Sequence, residues 1–325
     1  MTLCRGIITL GCFLAGASAT VYKPDVIQLP TGFFPQGMAI GEDWDVYIGS
    51  VGDYDGRIWK GDLKTGKGEL VVPVVGSAAN GLAFDKRSKY LYVTGAYSGT
   101  ARIYDEKFNL VADLTLGLTD GTSYINDVIV TKETVYITDT LQPQYYKVRP
   151  DRGWNRKTGG LKSMTVETIA LGEGFGFTEG GFNAAGIEAS DDGKTLIITN
   201  ISNGVLYKVD AATGTAAPID LGGAMVPSAD GIVLRGNTLW VVQNGLFGGE
   251  EQIAEISLSA DFSCGSLSPR ALTNELFHVP EKVVRKNNAL YTANTKMLTP
   301  DEDRPMTEYE VLRVDRDQSE FICSA

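Results

Sequence analysis

The chain has 325 residues, 43% of them apolar, and carries 29 basic against 40 acidic side chains for a net charge of −11. That balance argues against nucleic acid and anionic membranes as partners, because both demand basic patches. Length and apolar content suffice for one large core, and no Pro-rich linker or low-complexity tract divides the chain.

Residues 1–19 combine Arg5, an apolar run over 7–15 and the small-x-small triplet Ala17-Ser18-Ala19, the pattern of a cleaved secretory signal. The run is well short of the ~20 residues that cross a bilayer. The expected product is a soluble protein of residues 20–325 in the secretory pathway. Cleavage removes Arg5, Cys4 and Cys12, moves the net charge to −12 and leaves Cys264 and Cys323. In an oxidising compartment a disulfide is the economical use for these two. Asn200-Ile201-Ser202 is an N-glycosylation sequon on a predicted hairpin loop.

After the isolated strand-like segment at residues 25–29, one unit is written repeatedly, most legibly over 185–210. There, strands at 186–189, 195–200 and 205–209 are separated by the turns Asp191-Asp192-Gly193-Lys194 and Ser202-Asn203-Gly204. Aligned first strands begin Gln36-Gly37, Asn80-Gly81, Asn126-Asp127, Ala185-Gly186, Asp230-Gly231 and Glu281-Lys282. Second strands rich in β-branched and aromatic residues follow at 45–49, 91–95, 135–139, 196–200, 239–243 and 290–294, and third strands at 57–59, 101–104, 145–148, 205–208, 253–256 and 311–314. No helical periodicity interrupts them. Six such units, at a spacing of about 40–50 residues, predict an all-β, six-bladed β-propeller in one domain.

An open edge on the last blade would template aggregation, so residues 25–29 are expected to complete it. Cys323, just past the final strand, then comes near Cys264 on the outer side of the fifth blade. A bridge across that seam would be worth ~4–5 kcal/mol in the chain-entropy account.

In a propeller, the starts of the first strands and the ends of the second strands ring one mouth of the central channel. The starts are Gln36, Asn80, Asn126, Ala185, Asp230 and Glu281; the ends add Asp139, Asn200, Asn244 and Asn294, with Lys296 close by. Asn, Asp and Gly at strand starts are also ordinary turn formers. Gln36, Asn126, Asp230 and Lys296 are the candidate catalytic groups; Asn80, Asn244, Glu281 and Asn294 are candidates to bind substrate. Tyr97, Tyr124, Tyr145, Phe182 and Phe247 are expected near the mouth, beneath a Gly- and aromatic-rich lid over 154–182. An apolar pocket with a few polar anchors suits a small hydrophobic ligand. The Gly172-Glu173-Gly174-Phe175-Gly176-Phe177 run lacks the Lys and Ser/Thr of a phosphate loop. His278 is the sole histidine and no Gly-x-Ser-x-Gly elbow is present, which argues against a nucleophilic triad.

The repeated Asn-Gly and Asp-Gly strand starts, the hairpin Asp191-Asp192-Gly193-Lys194-Thr195-Leu196 and Leu290-Tyr291-Thr292-Ala293-Asn294 resemble the SMP-30/gluconolactonase/LRE-like superfamily over essentially the whole mature chain. The resemblance implies one divalent cation, usually calcium, held by a blade-one glutamate, asparagines of the middle blades and a blade-five aspartate. Asp230 matches the aspartate. Gln36 lacks the glutamate's charge and Ala185 offers no ligand, with Asn183 two residues upstream as a substitute.

Within the superfamily, the signal peptide and the degraded metal ring are similar to the fungal hetero-Diels–Alderases of tropolone-sesquiterpene biosynthesis. That resemblance implies a cofactor-independent [4+2] addition of a tropolone-derived ortho-quinone methide to a humulene-type alkene. A calcium-dependent lactonase or esterase and a non-catalytic binding propeller are the alternatives.

Overall fold

The computed structural model describes residues 23–150 and 164–315. They form six four-stranded antiparallel sheets and almost no helix. In chain order, β1 (Val26–Gln28) precedes the first blade, β2 (Pro35–Ile40), β3 (Asp45–Ser50), β4 (Ile58–Asp62) and β5 (Gly68–Val72). The second blade is β6 (Leu82–Asp85), β7 (Tyr90–Thr94), β8 (Thr100–Tyr104) and β9 (Leu110–Thr115), and the third is β10 (Ile125–Val130), β11 (Val135–Asp139), β12 (Gln144–Pro150) and β13 (Met164–Ala170). The fourth is β14 (Ala184–Ala189), β15 (Thr195–Asn200), β16 (Val205–Asp210) and β17 (Ala216–Pro218), and the fifth β18 (Ala229–Arg235), β19 (Thr238–Gln243), β20 (Gln252–Leu258) and β21 (Gly265–Leu267). The sixth takes β22 (Pro280–Lys286), β23 (Ala289–Asn294) and β24 (Glu310–Asp315) from the C-terminal end and β1 from the N-terminal end. Ile27, buried, pairs with Val311, so the ring is closed as the orphan segment predicts.

Apolar side chains from facing blades make six clusters, one per blade interface. The β-branched and aromatic second strands contribute to all six because each blade is covered on both faces.

Two local devices set the channel. The register of five first strands breaks between Pro35 and Met38, Ile125 and Val128, Ala184 and Ile187, Ala229 and Ile232, and Pro280 and Val283. A bulge re-aims a side chain, and these carry Gln36, Asn126, Ala185, Asp230 and Glu281, the predicted ring. The glycine that follows is there for proximity rather than for a turn. A Cβ on Gly37, Gly81, Gly186 or Gly231 would stand 2.3–2.6 Å from the carbonyl oxygen of Asn80, Asn126, Asp230 or Glu281 on the next blade. Threonines of the second strands fix two of the same carbonyls: Thr94 Oγ1 donates to Asn126 O and Thr199 Oγ1 to Asp230 O at 3.1 Å. Gly186→Ala is accordingly expected to destabilise the protein by about 1–3 kcal/mol through overpacking. A urea-unfolding midpoint unchanged by that substitution would contradict the close-approach account.

Three expectations need correction or fall elsewhere. The segment expected to form a lid supplies β13, paired along its length with β12, and Phe175 beyond it is buried against Tyr207 at 4.5 Å, between blades. A strand edge needing a partner outweighs the Gly-rich composition there. Asn200 is fully buried and its Oδ1 accepts from Asn203 N, so the folded chain has no room for a glycan on it. The signal segment 1–19, Cys323 and residues 154–163 lie outside the described residues; Cys264 is exposed at the start of the outer hairpin of blade five. Among the described residues no helix is long and apolar enough to cross a membrane.

Candidate functional site

Gln36, Asn80, Asn126, Asp230 and Glu281 converge at the mouth, as aligned, and enclose about 10 Å³. That is room for roughly one water molecule. Asn80 Nδ2 donates to Asn126 Oδ1 at 3.0 Å, Asn126 Nδ2 to Thr140 Oγ1 at 2.8 Å, and Asn244 Nδ2 to Asp230 Oδ2 at 3.1 Å. Gln36 Nε2 reaches Glu281 Oε2 only at 3.5 Å. Gln36 Oε1 and Glu281 Oε1 are buried without a hydrogen-bond partner.

Asp230 and Glu281 are hydrogen-bonded to each other. Burial pushes both carboxyls above their ordinary range, and the neighbouring Asp230 charge drives Glu281 well above it. Two carboxyls this close cannot both ionise in a site closed to water. The pair therefore favours holding one proton, carried on Glu281 and donated to Asp230.

Tyr124 caps the ring. Its hydroxyl donates to Asn80 Oδ1 at 2.7 Å and is held neutral by burial and by the negative charge of the Glu281–Asp230 pair. From Tyr124 an aromatic arc runs across the mouth. Tyr97 meets it edge-on at 4.7 Å, Phe182 lies 6.1 Å on the other side, and Phe247 follows Phe182 at 6.0 Å with half of its surface exposed. Two of the residues expected to form a second polar ring, Asp139 and Asn244, carry loops of this arc, and Asn183, the expected substitute ligand, carries a third. Asp139 accepts from Tyr124 N at 2.9 Å, Asn183 holds the Phe182 loop through Thr178 and Gly181, and Asn244 Oδ1 accepts from Leu246 N beside Phe247.

Beneath the ring the channel is crossed by an ion pair that the sequence reading passed over. Lys282 Nζ meets Asp127 Oδ2, with side-chain exposures of 13% and 4%. Asp127 also accepts from Val128 N at 2.9 Å and Ile187 N at 3.2 Å. Both residues occupy the position that is glycine in the other four blades, and blades three and six stand opposite each other. The signal was present in the alignment Gly37, Gly81, Asp127, Gly186, Gly231, Lys282.

This chain is a six-bladed β-propeller. It is similar to the major allergen Mala s 1 of Malassezia sympodialis, with a TM-score of 0.65, 16% identity and coverage of 92% of this chain and 98% of that one. It is also similar to a luciferin-regenerating enzyme (TM-score 0.61, 13% identity, 87% and 91% covered) and to virginiamycin B lyase from Staphylococcus aureus (0.57, 14%, 83% and 81%). At such identities these neighbours establish the fold alone. No protein-family model matches the sequence, and no curated protein matches it.

Within this propeller, three predicted site residues lie away from the ring. Lys296 Nζ is committed to Glu310 Oε2 and Glu308 O, both at 2.7 Å, and tethers its own loop. Asn294 Nδ2 donates to Glu310 and Leu276 O while its Oδ1 accepts from His278 N. Tyr145 is buried in the interface of blades three and four, packed on Tyr136 at 6.1 Å. Each was placed by its distance from a strand end, which fixes the level along the channel and not the direction of the side chain.

The donor set decides how far the ring fits calcium. Two free oxygens, on Gln36 and Glu281, favour a cation. The Oδ1 atoms of Asn80 and Asn126 are already taken by Tyr124 and Asn80, Asn183 is spent on its loop, and blade four offers Ala185. Among the described residues no three His, Cys, Asp or Glu side chains cluster for a metal. Calcium takes six to eight oxygens, so the residues present do not fit it.

Proposed function

We propose that this propeller is an enzyme without a resident cofactor, in which the Tyr124 hydroxyl turns its proton from Asn80 Oδ1 to an oxygen of a hydrophobic, unsaturated substrate lying on the arc of Tyr97, Tyr124, Phe182 and Phe247, with the Asp230–Glu281 acid beneath it. The observation that carries the reading is the Asp230–Glu281 pair, two buried carboxyls hydrogen-bonded to each other beneath an aromatic arc that is exposed at Phe247. The ring has space for one water only, so the substrate's carbon skeleton stays on the arc and its oxygen addresses the ring through Tyr124 or that water.

In its finer form the reaction is the hetero-[4+2] addition of a tropolone-derived ortho-quinone methide to a humulene-type alkene. Two new bonds form from the π electrons of the two reactants; nothing leaves and no proton is consumed. The arc orders the partners face to face, which lowers the barrier by several kcal/mol. Donors on the quinone-methide oxygen stabilise the negative charge that builds there in the transition state.

Turnover of a quinone-methide precursor with humulene tests the proposal, and the expected product is the cycloadduct, formed equally with and without EDTA. Tyr124→Phe keeps the arc and removes the donor, and should lower kcat by about 100-fold with little change in KM. Activity abolished by EDTA and restored by calcium would establish cation-dependent hydrolysis instead; saturable binding without turnover would establish a binding propeller.

A further inference from the structure

The Asp127–Lys282 pair divides the channel. Below it the far ends of the first strands enclose a second cavity of about 250 Å³, much roomier than the ring. Its walls are apolar, with Met38, Ile40, Phe84, Val130, Ile187 and Val284 among them. Three chargeable residues line it: Glu188 on β14, and Lys282 and Arg285 on β22. The Lys282 ammonium is neutralised by Asp127 on β10, and the Arg285 guanidinium lies over the Trp240 ring at 5.5 Å, against the fifth blade. The parts of β2, β6 and β18 that line the cavity contribute no titratable group. Glu188 is thus the one carboxyl in the cavity without a cation. Backbone N–H groups of Leu234 and Ala189 point to it, and Lys282 acts on it from a distance.

The geometry points to this lower cavity as a binding site for a small apolar ammonium ion, its hydrocarbon part against the apolar wall and its N–H groups donating to the Glu188 carboxylate. A carboxylate in such surroundings is stable only beside a cation, and a wall of aliphatic and aromatic side chains favours a cation carried on a hydrocarbon over a hydrated metal ion. A neutral alcohol would leave the charge uncompensated. An organic anion would meet Glu188 as a like charge. The site is distinct from the mouth, because the buried ion pair stands between the two.

Calorimetric titration of the protein with benzylamine, benzyl alcohol and benzoate, in mildly alkaline buffer where Glu188 is ionised, tests the assignment. Benzylamine is expected to bind one to one and the other two at least tenfold more weakly, as one charge-assisted hydrogen bond dictates. Glu188→Gln preserves shape and should weaken benzylamine by about tenfold or more. Val130→Phe fills the cavity and should do the same, while Glu281→Gln at the mouth should leave binding unchanged. Equal binding by Glu188→Gln, equal binding of the alcohol or the benzoate, loss of binding in Glu281→Gln, or no benzylamine binding at all would each overturn it.

Discussion

Lys282→Met is expected to destabilise the propeller by about 3–5 kcal/mol, the range found when one member of a buried ion pair is removed. The substitution keeps the length of the side chain and strands the Asp127 charge on the channel axis, where only the Val128 and Ile187 N–H groups remain to it. Exposure decides the magnitude: surface pairs are worth at most about 1 kcal/mol, but here the side chains are 13% and 4% exposed. Asp127→Asn combined with Lys282→Met removes both charges and should recover most of the loss. Urea unfolding of the two single variants and the double variant measures this cycle. A single-variant loss near 1 kcal/mol, or a double variant as unstable as the two singles summed, would show that the pair is not coupled across the channel.

That pair also marks where sequence reading succeeded and where it stopped. The blade count, the strand positions and closure by residues 25–29 were legible because strand periodicity and β-branched composition are local properties, repeated six times. Gln36, Asn80, Asn126, Asp230 and Glu281 were legible because alignment of a repeat places equivalent residues at equivalent heights. Direction was not legible. The bulges that turn all of these but Asn80 to the axis are events between two strands, and the same lack of direction misplaced Tyr145, Asn294 and Lys296. Asp127 and Lys282 were overlooked for another reason: the glycines at the equivalent positions were read as turn formers, whereas their role is to admit the next blade's carbonyl. Read as a contact position, a repeat of four glycines with one acid and one base in opposite blades gives the ion pair directly. The 154–182 segment failed on composition, since glycine and aromatics serve a packed outer blade as readily as a lid.

Stability is expected to peak in mild acid and to fall as pH rises through neutrality. Burial pushes Glu188 up to about 7 and raises Asp230, and with the Asp230 charge beside it Glu281 is raised well above its ordinary value. A carboxyl whose folded pKa is raised binds its proton more tightly in the folded chain than in the unfolded one. Its stabilisation is therefore complete below the unfolded pKa of about 4 and is lost as pH climbs through the folded value, at up to about 1.4 kcal/mol per pH unit for each group. Opposing groups set the acid side. Hydrogen bonds from Ser259 and Ser263 hold the Asp261 carboxylate below its ordinary range, and those from Thr213 do the same for Asp210. Stability from these two is present above about pH 4 and disappears as pH falls through their lowered values. Urea midpoints collected from about pH 2 to about pH 9 trace both limbs of the curve. Glu188→Gln should flatten the fall up to about pH 7, and Glu281→Gln should flatten the fall further. A midpoint that rises steadily from mild acid to neutral pH would mean that Asp230 and Glu281 are both ionised in the folded protein, and with that the acid at the mouth would be lost.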